Sequence, residues 1–461
     1  MHRKLVQFAN LFLMAVLLLA SQFVTASAGD HTISLISKAW DGSQTDGNSG
    51  GAVISADGRY ILFTSSASNL LKAGLPPESY PHSKLYLYDQ KTGKTALVSV
   101  AWDGSPANYD TGSGTISSEG RYIAFASNAS NIVAGYPGGQ LQVYLRDRRI
   151  SKNYLVSGPL DGSLPSEDAN YPSISASGRY IAFESFSTNL VKEDTDDDPD
   201  IYVRDMVKNK LYLVSVSSKG VKGNIDSYSP SISSDGRIVA FASVATNLVP
   251  NDTNNASDVF VHDMKTGKTE RISVSSNGKQ ANDRSEQPVI SGNGRYIGFI
   301  SWASNLVPGD TNGVPDVFVR DLLTGKTERV SVSSSGKQQT LGTLYDSGYS
   351  GISLSIDGRY ISFVSQATNF ANGISINTCH YPIGLGVNEP CTNIYLRDRQ
   401  TGRTSIVSIS GSNKSGNAAS SSPSISRDGQ WIVFSSEASN LVGGDTNGQP
   451  DIFLYHNGSS R

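Results

Sequence analysis

The sequence predicts an all-β protein: a seven-bladed β-propeller of four-stranded antiparallel blades, its ring closed by the N-terminal strand. Three observations predict it. One unit recurs seven times, each unit carries four short apolar runs between turn signals, and the chain begins and ends on complementary pieces of a unit. A single small sheet cannot bury both of its faces, so radially stacked copies leave this kind of periodic record in a sequence.

The clearest copy runs Pro172-Ser-Ile-Ser-Ala-Ser-Gly178-Arg-Tyr-Ile-Ala-Phe183 and returns at 230–241, 288–299 and 423–434. Looser copies lie at 52–63, 115–125 and 352–363. Their turn glycines are Gly58, Gly120, Gly178, Gly236, Gly294, Gly358 and Gly429, spaced 62, 58, 58, 58, 64 and 71 residues apart. No remainder is long enough for another domain.

Within a unit the first strand is the Pro-Ser-Ile-Ser run, ended by a hairpin signal such as Asp235-Gly236 or Asn293-Gly294. The second, Arg-Tyr-Ile-Ala-Phe, is apolar at nearly every position and suits a strand buried on both faces. The third is typified by 316–321, and the fourth by 327–332 after the Thr324-Gly-Lys326 turn. Residues 31–38 match a fourth strand and residues 451–455 a third, so the last blade lacks the strand that the N-terminus has to spare. Pairing them closes the ring and removes two open edges.

Taken together, Pro-Ser-Ile-Ser-x-Asp-Gly-Arg-Tyr-Ile-Ala-Phe, Asp-Val-Phe-Val-Arg-Asp and Thr-Gly-Lys-Thr resemble the WD-like repeat of the TolB-like β-propeller family, in its secreted bacterial type. The resemblance covers residues 29–461 and implies the fold; such repeats serve binding proteins and enzyme accessory domains alike. The chain has seven repeats where the TolB propeller has six, and no separate α/β domain precedes them, so a Tol role in the envelope is not implied.

Residues 1–28 read as a signal peptide. His2, Arg3 and Lys4 form a basic head, residues 11–20 an apolar run, and Ala26-Ser27-Ala28 a small-residue cleavage site. The expected location is therefore secreted or periplasmic, with no membrane span after cleavage. The only cysteines, Cys379 and Cys391, lie close together and are expected to form a local disulfide in an oxidising compartment. A net charge of −3 offers no basic face, so nucleic acid is not an expected partner, and the protein is expected to be a monomer.

Two recurrent polar columns point to backbone work. Asn69, Asn131, Asn189, Asn247, Asn305, Asn369 and Asn440 follow the second strand, and Asp89, Asp147, Asp205, Asp263, Asp321 and Asp398 close the third. Both read as turn formers.

Four units also carry an acidic loop between the second and third strands. Its oxygen side chains are Asp194, Asp196, Asp198 and Asp200; Asp252, Asn254 and Asp258; Asp310, Asn312 and Asp316; and Asp445, Asn447 and Asp451. Oxygens at positions one, three and seven suit weak binding of Ca²⁺. The acid at position twelve cannot complete such a sphere, because a strand carries it roughly 16 Å beyond position seven. The competing reading is a set of Asx turns that cap backbone N–H groups.

No nucleophile elbow, zinc-protease helix or phosphate loop is present, and the histidines are scattered. The leading expectation is thus a binding or scaffolding module. Its variable blade-to-blade loops, carrying Tyr109, Tyr171, Tyr228 and Tyr349, would line a channel mouth presented to a protein, peptide or glycan ligand. The alternative is an extracellular polysaccharide lyase or hydrolase with its site in the channel. Two or more carboxylates with a His or Arg in the mouth would favour the enzyme; a channel of Ser, Asn and Gly would favour binding.

Overall fold

The computed structural model describes residues 32–75, 82–342, 351–370, 373–380 and 388–458. The expected signal segment lies outside them. Among the described residues there is no helix, and the strands form seven four-stranded antiparallel blades in a ring. Blade 1 comprises Ser49–Ile54, Tyr60–Ser65, Lys84–Asp89 and Lys94–Leu97. Blade 2 comprises Thr111–Ile116, Tyr122–Ser127, Gln142–Asp147 and Lys152–Leu155, and blade 3 Ala169–Ile174, Tyr180–Ser185, Asp200–Asp205 and Lys210–Leu213. Blade 4 is Ser227–Ile232, Ile238–Ser243, Asp258–Asp263 and Lys268–Arg271; blade 5 is Ser285–Ile290, Tyr296–Ser301, Asp316–Asp321 and Thr327–Arg329. Blade 6 is Ile352–Leu354, Tyr360–Ser365, Asn393–Asp398 and Arg403–Ile406. Blade 7 takes Ser420–Ile425, Trp431–Ser436 and Asp451–His456 from the C-terminal end and Thr32–Leu35 from the N-terminal end.

The closing strand pairs in register from Thr32↔His456 to Leu35↔Phe453. It is shorter than the run 31–38 suggests, because Lys38 turns back to bridge Gln44 in a small hairpin. The fourth strand of blade 5 likewise stops at Arg329.

The second strands are buried on both faces, as their unbroken apolar runs predict. Their phenylalanines each stack on the aromatic opposite in the third strand, from Phe63–Tyr86 to Phe434–Phe453, with ring centroids 5.7–5.9 Å apart. Phe183, Phe241 and Phe299 are fully buried in this way.

The Gly-Arg-Tyr signal locks blade to blade and strand to strand. At Gly236 φ is +75°, and a Cβ there would overlap the Tyr180 ring of the preceding blade, so only glycine fits the turn. The adjoining arginine forks onto the aspartate that closes the third strand: Arg179 donates from Nε (3.0 Å) and Nη2 (2.7 Å) to Asp205. The same fork recurs in blades 1 to 6, down to Arg359–Asp398. The aspartates are turn formers as well, since Asp205 Oδ1 accepts the Val207 N–H.

The asparagine column also serves the backbone, but between loops. Asn247 donates from Nδ2 to Lys222 O (2.8 Å) and accepts from Asn224 N–H (3.1 Å), which clips the loop after one strand to the loop that enters the blade.

Ser227, Ser243 and Asp258 lie side by side in the register of blade 4. The loops entering the first strands and the acidic loops between second and third strands therefore open on one face, called here the loop face. In blade 6 the latter connection contains the hairpin Thr378–His380 and Asn388–Pro390, stapled by Cys379–Cys391 with Cα atoms 4.8 Å apart.

Candidate binding site in the central channel

The seven first strands line the channel, and six carry a bulge near the loop face. Pairing in blade 3 slips between Asn170 and Ser173, and Tyr171 between them has φ +48°. Gly51, Ser113, Ser229, Gln287 and Ser422 hold the same conformation at the same place. For a residue with a side chain this costs about 1–2 kcal/mol, so the strain is concentrated around one cavity. Serines just past the bulge brace neighbouring strands, as when Ser173 Oγ accepts Ile232 N–H (3.0 Å) and Ser231 Oγ accepts Ile290 N–H (3.1 Å).

At the level of the bulges the channel widens to a cavity of about 480 Å³. Among the described residues its wall is prolines (Pro172, Pro230, Pro288, Pro423), the aliphatic Val53, Val289 and Ile352, small or hydroxyl side chains, Gln287, Tyr171, Tyr228 and one carboxylate, Glu184. Among the described residues no lining side chain is Lys, Arg or His.

Glu184 breaks the repeat. In the other blades its place is held by Thr64, Ala126, Ala242, Ile300, Val364 and Ser435. It is 7% exposed, and its Oε2 accepts Ser229 N–H at 3.2 Å. Burial pushes its carboxyl up to about 7; the Ser229 N–H works against that, and the Asp226 carboxylate adds to it. The repeats carry this signal as a lone acid in a neutral column. It passes unnoticed when the chain is scanned for motifs.

Of the tyrosines expected at the mouth, two line the cavity. Tyr171 is part exposed, and Tyr228 donates its hydroxyl to Ser257 Oγ (2.6 Å). Tyr109 does not reach it: the ring packs on His82 in the loops, with centroids 4.3 Å apart. Tyr349 lies outside the described residues.

The acidic loops do reach the loop face, but three already hold a cation of the protein's own. Oxygens of Asp194, Asp196 and Asp200 lie within 4.8 Å of one another, which is metal-like spacing. The Lys222 ammonium sits among them, 2.6 Å from Asp196 and 2.9 Å from Asp200; Asp198 stands outside the group. Burial disfavours that ammonium, yet Asp196 and Asp200 more than offset this and hold Lys222 above its ordinary value. Burial still pushes Asp200 up to about 6. In blade 4, Arg271 Nη1 lies 3.1 Å from both Asp252 and Asp258; in blade 5, Arg329 Nη1 lies 2.8 Å from Asp310 and 3.1 Å from Asp316.

Each position-seven acid is also committed to a serine two residues beyond the fourth strand, as Ser215 Oγ to Asp200 and Ser331 Oγ to Asp316 (both 2.5 Å). Asn254 and Asn312 donate to Asp258 and Asp316. Blade 7 differs. Leu35 stands where blades 4 and 5 have arginine, and Asp445 and Asp451 receive only amides and hydroxyls among the described residues, from Gln44, Asn447, Ser37 and Thr45. Burial raises both carboxyls, and Asp451 raises Asp445 further.

No model of a known protein family matches the chain, and no curated protein matches it. Among solved structures it is similar to an oligogalacturonate lyase from Vibrio parahaemolyticus, with 12% identity and a TM-score of 0.52 over 93% of this chain and 94% of that one. An oligogalacturonate lyase in complex with manganese gives the same values. TolB from Acinetobacter baumannii is similar at 17% identity and a TM-score of 0.37, over 87% of this chain and 81% of that one. At 12% identity what the lyase structures and this chain share is the fold, and that fold is the β-propeller.

Proposed function

We propose that this protein is a secreted or periplasmic binding module that takes a ligand into the loop-face mouth of its channel. The carrying observation is the chemistry of the channel wall, which among the described residues is proline, aliphatic, hydroxyl and amide with Glu184 as its one carboxylate. Hydrolysis of a glycosidic bond ordinarily uses two carboxylates in concert, and among the described residues Glu184 has no second carboxylate beside it in that wall. A polyuronate of the kind an oligogalacturonate lyase acts on carries a carboxylate on every sugar. Among the described residues no lining side chain offers it a counter-charge.

The distribution of exposed apolar side chains supports the same face. Of thirteen large ones exposed among the described residues, nine lie on it, including Trp40, Trp102, Leu160, Phe186 and Ile225. Patches of this kind mark interaction surfaces. The Cys379–Cys391 disulfide fits the oxidising compartment that residues 1–28 imply. Weak calcium binding belongs in this reading to blade 7, the one acidic loop without a lysine or arginine of its own.

The test is an array of cell-wall glycans and envelope-derived peptides probed with the mature protein. Saturable binding that Tyr171→Ala weakens tenfold or more is the expected outcome. Turnover of oligogalacturonate to an unsaturated product, without such binding, would replace this reading with the lyase.

A further inference from the structure

Among the described residues of the channel wall, no cation answers the Glu184 carboxyl. Its Oε2 is engaged by Ser229 N–H, and no hydrogen bond among the described residues reaches Oε1. Burying an uncompensated carboxylate is costly, and six blades fold with neutral residues at its place. The fold does not require it.

The surroundings deepen the negative field. From Glu184 to Asp200 the chain carries seven carboxylates and one lysine, Lys192. Lys222 is committed to Asp196 and Asp200. The cavity that Glu184 lines is methylene-rich, with Pro172, Pro230, Pro288, Pro423, Val53 and Val289 in its wall. An apolar sleeve with one anionic point suits a run of methylenes ending in a cation. A single available oxygen suits the one-point contact of an ammonium better than the two-pronged fork of a guanidinium.

What brings the ammonium is indicated by the rim. Trp102, Leu160, Leu164, Phe186, Val221 and Ile225 are exposed on the loop face, in the connections that enter blades 2, 3 and 4 and just after the second strand of blade 3. A polypeptide covers such an arc, whereas a free polyamine leaves it wet. We propose that the channel reads lysine: a polypeptide partner docks on this arc and inserts one lysine side chain, its ammonium on Glu184 Oε1 and its methylenes along the prolines. This rests on the binding reading above and names the chemical class of its ligand.

A random heptapeptide library selected on the immobilised mature protein tests it, followed by titration of selected peptides. Lysine should be enriched among binders. Acetylating that lysine should weaken binding at least tenfold, Glu184→Gln should do the same, and the two together should cost little more than either alone. The acetylation arm leaves the protein untouched, so it holds even if the variant folds poorly. Binders without lysine, or lysine binders indifferent to Glu184→Gln, overturn the proposal. So does binding confined to cadaverine or glucosamine oligomers, run in parallel; that result would leave the channel a binding site for another ligand. If no peptide, glycan or amine binds at all, the binding reading falls with it.

Discussion

Glu184 shows how much one residue can depart from a repeat that otherwise averages out function. Burial pushes its folded carboxyl up to about 7; the Ser229 N–H works against that, the Asp226 carboxylate adds to it, and among the described residues the cavity wall holds no lysine or arginine. Between its ordinary value of 4.5 and about 7 the native state holds a proton that the unfolded chain releases. Glu184 therefore supports stability fully below about pH 4.5, and that support is lost as pH rises through 7. The shift corresponds to roughly 3 kcal/mol. Glu184→Gln removes the dependence, so denaturant melts of wild type and variant should diverge progressively from pH 4.5 to 7, with the variant ahead at neutral pH. Asp200, pushed up to about 6, titrates in both proteins and cancels in the difference. Parallel profiles would show that Glu184 is not desolvated. The residue was legible in principle, by stacking the seven copies; its burial was not, because burial depends on where the bulged first strands leave room.

The acidic loops show the limit of sequence at the scale of elements. Their matched oxygens are visible along the chain, but the groups that neutralise them come from elsewhere. Lys222 lies in the next connecting loop, and Arg271 and Arg329 end fourth strands paired across the blade. Only the register brings these charges to the carboxylates. The consequence for calcium is specific. In wild type a calcium-dependent rise in melting temperature should come from blade 7, vanish in Asp445→Asn, and be absent with magnesium. With affinity on the order of 10⁻⁴ to 10⁻³ M, ten-millimolar calcium adds about 1–3 kcal/mol. Lys222→Met should destabilise by roughly 3–5 kcal/mol, since it leaves Asp194 and Asp200 buried without their cation. Calcium should then restore part of that loss. A calcium response unchanged by Asp445→Asn would move the site away from blade 7, and none in either protein would return all four loops to ordinary turns.

At the scale of the whole molecule the ring was the most legible feature, because seven spaced glycines and two leftover strands admit few other arrangements. Closure rests on more than the ladder from Thr32 to Leu35. Ile36 donates its N–H to Ile452 O (2.8 Å) and is buried with Ile54, Phe63 and Val433, while Ser37 Oγ donates to Asp451 Oδ1 (2.5 Å) and accepts Ile452 N–H (2.9 Å). Joining the two ends of so long a chain is not prohibitive, since each doubling of loop length adds only about 0.6 kcal/mol of closure entropy. What closure prevents is exposure of the Asp451–His456 edge, a row of unpaired backbone groups open to another chain. Removing residues up to Lys38 should therefore yield a protein that melts lower and associates through that edge. A synthetic peptide of residues 31–38 added in trans should pair there, restoring the monomer and most of the lost stability by strand addition. Scanning calorimetry and sedimentation of the truncated protein, with and without peptide, read both effects. A truncated protein that stays monomeric at the original melting temperature would mean the N-terminal strand merely decorates a ring held shut by contacts between blades 1 and 7.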